Sequence, residues 1–95
     1  MYISVRKYRL RRSAVEVREA VMTGLVPILT ASPGFHSHWT IDCADGDIAA
    51  ISIFDTESNS RAATDRTLTW VKAHIRGLVE LPPEAMFEGE AHQTA

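Results

Sequence analysis

Cysteine is nearly missing from this chain: Cys43 is the single one among 95 residues. A lone thiol excludes an internal disulfide and a cysteine-based zinc site. Positive charge in excess is also lacking. Ten Lys and Arg stand against twelve Asp and Glu, giving a net charge of −2 and a pI near 6.0. That balance argues against a general nucleic-acid binder. No apolar run approaches the roughly 20 residues of a membrane span. Arg6, Lys7, Arg9, Arg11 and Arg12 fall where a signal peptide needs its apolar region. The expected setting is therefore reducing and cytoplasmic, with neither membrane nor nucleic acid as partner. There is no Gly-rich phosphate loop, internal repeat, low-complexity segment or interdomain linker. The length and the 45% hydrophobic content suit one domain, residues 1–95, with 92–95 as a loose tail. A domain of this size buries only roughly two-thirds of its unfolded surface. Dimerisation would help it.

What is present is clearest from Ser32 to Asp55, SPGFHSHWTIDCADGDIAAISIFD. Asp45-Gly46 lies between two β-rich runs, and Gly supplies the positive φ that a two-residue hairpin loop needs. That loop would pair Cys43 with Ile48, Ile41 with Ala50 and Trp39 with Ser52, on one sheet face with Phe35 and Phe54. His36, His38, Thr40, Ile51 and Ile53 would take the other face. Both faces then carry large apolar groups, whereas a sheet covered on one side alternates apolar with polar. A second subunit is the economical cover for the second face.

Elsewhere the elements alternate simply. Tyr2 to Leu10 reads as a strand with Ile3 and Val5 on one side and Tyr2, Ser4, Arg6 and Tyr8 on the other. Ser13 and Glu16 form a capping box that opens a helix. Ala14, Val17, Val21, Leu25 and Ile28 give it one apolar stripe. Pro27 predicts a bend or a frayed last turn before Ser32-Pro33-Gly34. Thr56 or Ser58 caps a second helix expected to reach about Val79, with Thr64, Leu68, Val71, Ile75 and Leu78 as its stripe. Ala85 to Ala91 supplies a last strand. The order βαββαβ predicts an α+β, ferredoxin-like antiparallel sheet in which the first strand lies between the last and the third. The basic cluster Arg6–Arg12 would then neighbour Glu80, Glu84, Glu88 and Glu90 and serve structure. An RNA-binding version of this fold is disfavoured, because DIAAISIFD lacks the interleaved basic, Gly and aromatic signature.

The long first helix ending in SPGF, the DG turn, the strand IAAISIFD and the helix opened by ESNS and carrying a Trp together resemble the antibiotic biosynthesis monooxygenase (ABM) family. The resemblance covers nearly the whole chain. It implies a dimeric α/β barrel, in which two such sheets pair to form a homodimer. It also implies a small-molecule pocket and, for some members, cofactor-independent oxygenation of aromatic or polyketide-like phenols with no metal.

Placing residues at about 100° steps puts Trp70 and His74 on one flank of the second helix, with Asn59 further round. In the oxygenase reading Trp70 is pocket wall and donor, Asn59 a donor to a developing oxyanion, and His74 the general base. Trp39, Phe35 and Phe54 would border the pocket from the sheet. The alternative is that Trp70 is core and His74 a satisfied histidine. Trp70-Val71-Lys72-Ala73-His74 is also similar to the segment bearing the axial histidine of haem-degrading relatives. Those relatives place an Asn on the first strand, and Ile3-Ser4-Val5-Arg6 has none, so no cofactor is expected. His36 and His38, with Asp42, offer only a loose metal geometry, for which surface or inter-subunit histidines are the simpler account. Cys43 reads as a small apolar residue. Two function classes stay open: an ABM-type enzyme, and a non-catalytic dimeric ligand-binding or accessory protein.

Overall fold

The computed structural model describes residues 1–95. Its sheet holds four antiparallel strands: β1 (Tyr2–Tyr8), β2 (Phe35–Asp42), β3 (Ile48–Phe54) and β4 (Ala85–Glu90), ordered β2-β3-β1-β4. The first strand thus lies between the last and the third, as the βαββαβ order predicts. Helices cover one face only. They are α1 (Ala14–Ala20), a π-helical turn (Val21–Leu25), α2 (Val26–Thr30) and α3 (Glu57–His74). None is long and apolar enough to cross a membrane.

Ser13 caps α1 by accepting the Glu16 N–H at 3.2 Å. Proline acts differently from the expected bend. The chain widens one turn before Pro27, with Val26 N–H reaching Val21 O, and restarts as α2 with Pro27 in its first turn, where a missing N–H is harmless. Gly24 lies in the widened turn against Trp70, and a Cβ there would come within 2.7 Å of the indole. The close approach requires Gly.

Thr56 caps α3. The helix ends at His74, earlier than Val79, because the following segment finds other partners. Leu10 and Val79 form a bridge, Arg11 N–H donates to Leu78 O, and Glu80 N–H donates to Arg9 O. The buried side of α3 holds Ser60, Ala63, Thr64, Thr67, Trp70 and Val71. It packs with Val17, Val21, Leu25, Leu29, Phe54 and Tyr8 into one core.

The hairpin corrects the two-residue loop. Asp42 pairs with Ile48, Thr40 with Ala50, His38 with Ser52 and Trp39 with Ile51. Gly46 N–H donates to Cys43 O and Gly46 has φ +91°, while Cys43 N–H meets Asp47 O. Ala44, Asp45 and Gly46 therefore form a three-residue loop with Gly in the left-handed position. One extra loop residue turns β2 over relative to β3. A bulge between Phe35 and Ser37 then returns Phe35 to the side of Phe54.

Candidate functional site

The face beneath the helices is built from Tyr2, Ser4, Arg6 and Tyr8 of β1, Ile48, Ala50, Ser52 and Phe54 of β3, and His38 and Thr40 of β2. At its centre lies Arg6, 0% exposed. Its Nη1 donates to Ser4 Oγ at 3.1 Å and its Nη2 to Ser52 Oγ at 3.3 Å. Both serines are themselves buried. No carboxylate pairs with this guanidinium; the nine ion pairs of the molecule involve other residues. The expectation that the basic cluster is matched by the acidic residues of the neighbouring strand and its ends therefore fails at Arg6. It holds at Lys7, which pairs with Asp45, Asp47 and Glu84, and at Arg9, which pairs with Glu84.

Arg6 shares a cavity of about 30 Å³ with Tyr8, His38, Thr40 and Thr67, walled by Val17, Val21, Leu25, Val71 and Ile75 among others. Three polar atoms around it make no hydrogen bond of ordinary geometry, Arg6 Nε, Tyr8 Oη and His38 Nε2, although Tyr8 Oη is close enough to the guanidinium for the two to interact. Burial, reinforced by the Arg6 charge, pushes His38 down to about 4, so the imidazole is neutral at pH 7. Burial raises the Tyr8 hydroxyl, and Arg6 offsets this in part. Burial likewise lowers Arg6, with Tyr8 opposing. A guanidinium nonetheless keeps its proton in proteins. Tyr8 stays neutral, so it supplies no counter-charge. Burying one ion without a partner costs several kcal/mol, which makes this cluster costly unless something else meets it.

The sequence-predicted residues scatter. Phe35 and Phe54 meet edge to face, centroids 5.7 Å apart, on the helix side. Trp39, expected beside them, lies on the opposite face and is 62% exposed. The three-residue loop put it there. Trp70 is buried, and His74 is exposed one turn on, with ring centroids 5.5 Å apart. They border an open groove of about 440 Å³ with Ile28, Asp65, Arg66, Thr69 and Ala73, between α2 and α3 and not between α3 and the sheet. Asn59 donates from Nδ2 to Asp55 Oδ1 at 2.8 Å in the first turn of α3. That hydrogen bond is the main cause holding the Asp55 carboxyl below its usual range. The bulge separates His36, exposed beside Ser37 Oγ, from His38, which is half-buried with its Nε2 out of reach of solvent. Asp42 pairs with Arg18, and no three His, Cys, Asp or Glu side chains gather for a metal.

Sequence reasoning missed Arg6, Tyr8 and His38 as a group. Two signals were available. Arg6 sits between Ser4 and Tyr8 on the strand side bearing both tyrosines, whose rings need cover. Gly as the third residue of Ala44-Asp45-Gly46 fits a three-residue loop, which brings His38 to that same side.

Solved structures match this architecture over almost its whole length. SnoaB, a cofactor-independent oxygenase from Streptomyces nogalater, superposes with a TM-score of 0.74 at 21% identity, over 98% of this chain and 94% of that one. A monooxygenase from the gene ActVA-Orf6 of Streptomyces coelicolor, in complex with Nanaomycin D, gives 0.79 at 16% identity, over 99% and 89%. The chain has the fold of the antibiotic biosynthesis monooxygenases. MhuD, with two manganese protoporphyrin IX molecules per active site, shares it at a TM-score of 0.73 and 12% identity, over 100% and 98%. No family model and no curated protein matches the sequence. The residues present do not fit a haem: β1 aims Ser4 and Arg6 into the interior, and His74 lies outside on α3.

Proposed function

We propose that this ABM-fold protein is a cofactor-independent monooxygenase acting on an aromatic or polyketide-like phenol, with its site under the helices at Arg6, Tyr8 and His38. The observation that carries the reading is a neutral imidazole, His38 Nε2, held without a hydrogen-bond partner in an apolar cavity beside a buried cation. In this chemistry the substrate supplies the electrons. A phenol loses its proton, the phenolate gives electrons to dioxygen, and a C–O bond replaces a ring C–H bond. The second oxygen atom leaves as water, so phenol and dioxygen become quinone and water. A histidine weakened by its cationic neighbour is a poor base for an ordinary phenol. The same guanidinium favours the phenolate and so acidifies the bound phenol. His38 and Arg6 thus act together: one accepts the hydrogen bond and then the proton, the other meets the oxygen's charge.

The proposed assembly is a homodimer through the bare sheet face. Ile3, Val5, Ile51 and Ile53 share that face with Trp39, Ile41 and Phe87, the last three exposed. A second copy would cover it.

Oxygen uptake with dihydroxynaphthalenes tests the enzyme reading. Native protein should consume one equivalent of dioxygen per quinone formed, and His38→Gln should slow this about 10²-fold or more. Absence of uptake across such phenols sinks it. The second reading, a non-catalytic ligand-binding or accessory protein, draws support from size. The interior cavity holds a small group and not a ring without movement of its walls, whereas the open groove at Trp70 and His74 has about 440 Å³. In that case Trp70→Ala should weaken binding of a planar phenol and His38→Gln should not.

A further inference from the structure

We propose that the cavity beside Arg6 is a monoanion site, which takes a carboxylate-sized group in contact with the guanidinium and rejects neutral groups of the same shape. It builds on the reading of this cavity as the ligand site but does not require the oxygenase chemistry. Arg6 carries five N–H donors in a planar fork, and the two serine hydroxyls are the hydrogen-bond acceptors it finds. Its Nε is buried without a partner. Ser4 and Ser52 hold the fork from neighbouring strands, where they stand directly opposite each other. They position it without neutralising it. Tyr8 Oη and His38 Nε2 border the same space; Tyr8 can donate to a bound oxygen, and His38 does so in the tautomer with its proton on Nε2, the other tautomer being the one that accepts from a phenol. A cavity of about 30 Å³ accepts a group of a few atoms. A planar monoanion such as formate or nitrate, or the carboxylate or phenolate head of a larger ligand, supplies the charge and the acceptors that the cluster lacks. The walls are apolar, so a multiply charged anion would lose its hydration without enough donors to replace it.

Thermal melting of the native protein is the first test, at constant ionic strength set by sulfate. Formate and nitrate should raise the melting temperature in a saturable way. Where the walls admit a ring, benzoate should bind at least about tenfold more tightly than benzamide, since the neutral amide cannot meet the charge. If benzoate binds more tightly than formate, the site serves the head of a larger ligand; if formate and nitrate alone saturate, it serves a free ion. Either pattern supports a monoanion site. Arg6→Met should remove the preference for benzoate over benzamide. Because that variant replaces a buried residue, the 15N shift of His38 Nε2 in native protein gives an independent readout, and it should move on adding formate. Benzamide binding as tightly as benzoate, or no His38 shift with any monoanion, overturns the proposal. Anion selectivity in a protein that consumes no oxygen leaves this site standing and sinks the oxygenase reading alone.

Discussion

The two faces of the sheet reverse the usual allocation of polarity. Under the helices, where burial favours hydrocarbon, β1 and β3 place Ser4, Arg6 and Ser52 at the centre, with His38 beside them from β2. The bare face carries Ile3, Val5, Ile51 and Ile53, flanked by Trp39 and Phe87. Stability alone would not produce this arrangement. A buried unpaired cation is costly, and an open apolar face of this extent marks an interaction surface. In the proposed reading the covered face carries chemistry and the bare face carries assembly. That reading would commit both faces of one short strand, with Ile3 and Val5 on one side and Ser4 and Arg6 on the other.

Breaking the bare face should have the largest effect. Ile53→Asp places a carboxylate at the proposed pairing surface, and sedimentation at micromolar concentration should show association weakened roughly a hundredfold or more. Its far-ultraviolet circular dichroism should stay near native. An unchanged sedimentation coefficient would remove this face from the assembly. On the covered side, Gly24→Ala drives a methyl into the Trp70 indole at 2.7 Å and should cost roughly 1–3 kcal/mol in denaturant unfolding. A neutral result would mean the helical layer yields easily.

The covered face also predicts a pH dependence with a definite sign. His38 is lowered in the folded state to about 4 from 6.5, by burial first and then by Arg6 of β1 on the same sheet face. Above pH 6.5 both folded and unfolded forms are neutral there, and His38 contributes no slope. Between those values the unfolded chain binds a proton that the folded one refuses, so stability falls as pH falls, by up to about 1.4 kcal/mol per pH unit. His38→Gln should flatten that part of the curve. Retention of the slope in the variant would assign it elsewhere. The smallest effect is a control on neither face: Thr56→Ala removes the cap of α3 and should cost about 1 kcal/mol.

The strand and helix order was legible in the sequence because each boundary has a local cause: Ser13 and Thr56 as caps, Ser32-Pro33-Gly34 as a stop, and Asp45-Gly46 at the reversal. The position of β1 between β3 and β4 followed from the order of elements. The site was not legible to the same degree, because it depends on which side of β2 points inward. That choice turns on one loop residue and one bulge, and it sends His38 in and Trp39 out. Ile51 and Ile53 were assigned to the uncovered side correctly, since β3 carries no such irregularity. Trp70 and His74 do share a helix flank, as their spacing requires. What spacing does not reveal is that the flank opens toward α2 and solvent. Arg6 was placed with Ser4 and Tyr8 by strand alternation, yet it was read with its charged neighbours because the acidic residues of the last strand and its approach suggested partners for the whole cluster.

Acrylamide quenching of tryptophan in the native protein tests the division between the two faces most directly. Trp70 is buried within one chain, and Trp39 is 62% exposed unless a second copy covers the sheet. Both tryptophans should be weakly quenched at micromolar concentration, with one becoming strongly quenched as dilution separates the proposed dimer. One strongly quenched tryptophan at every concentration would contradict it.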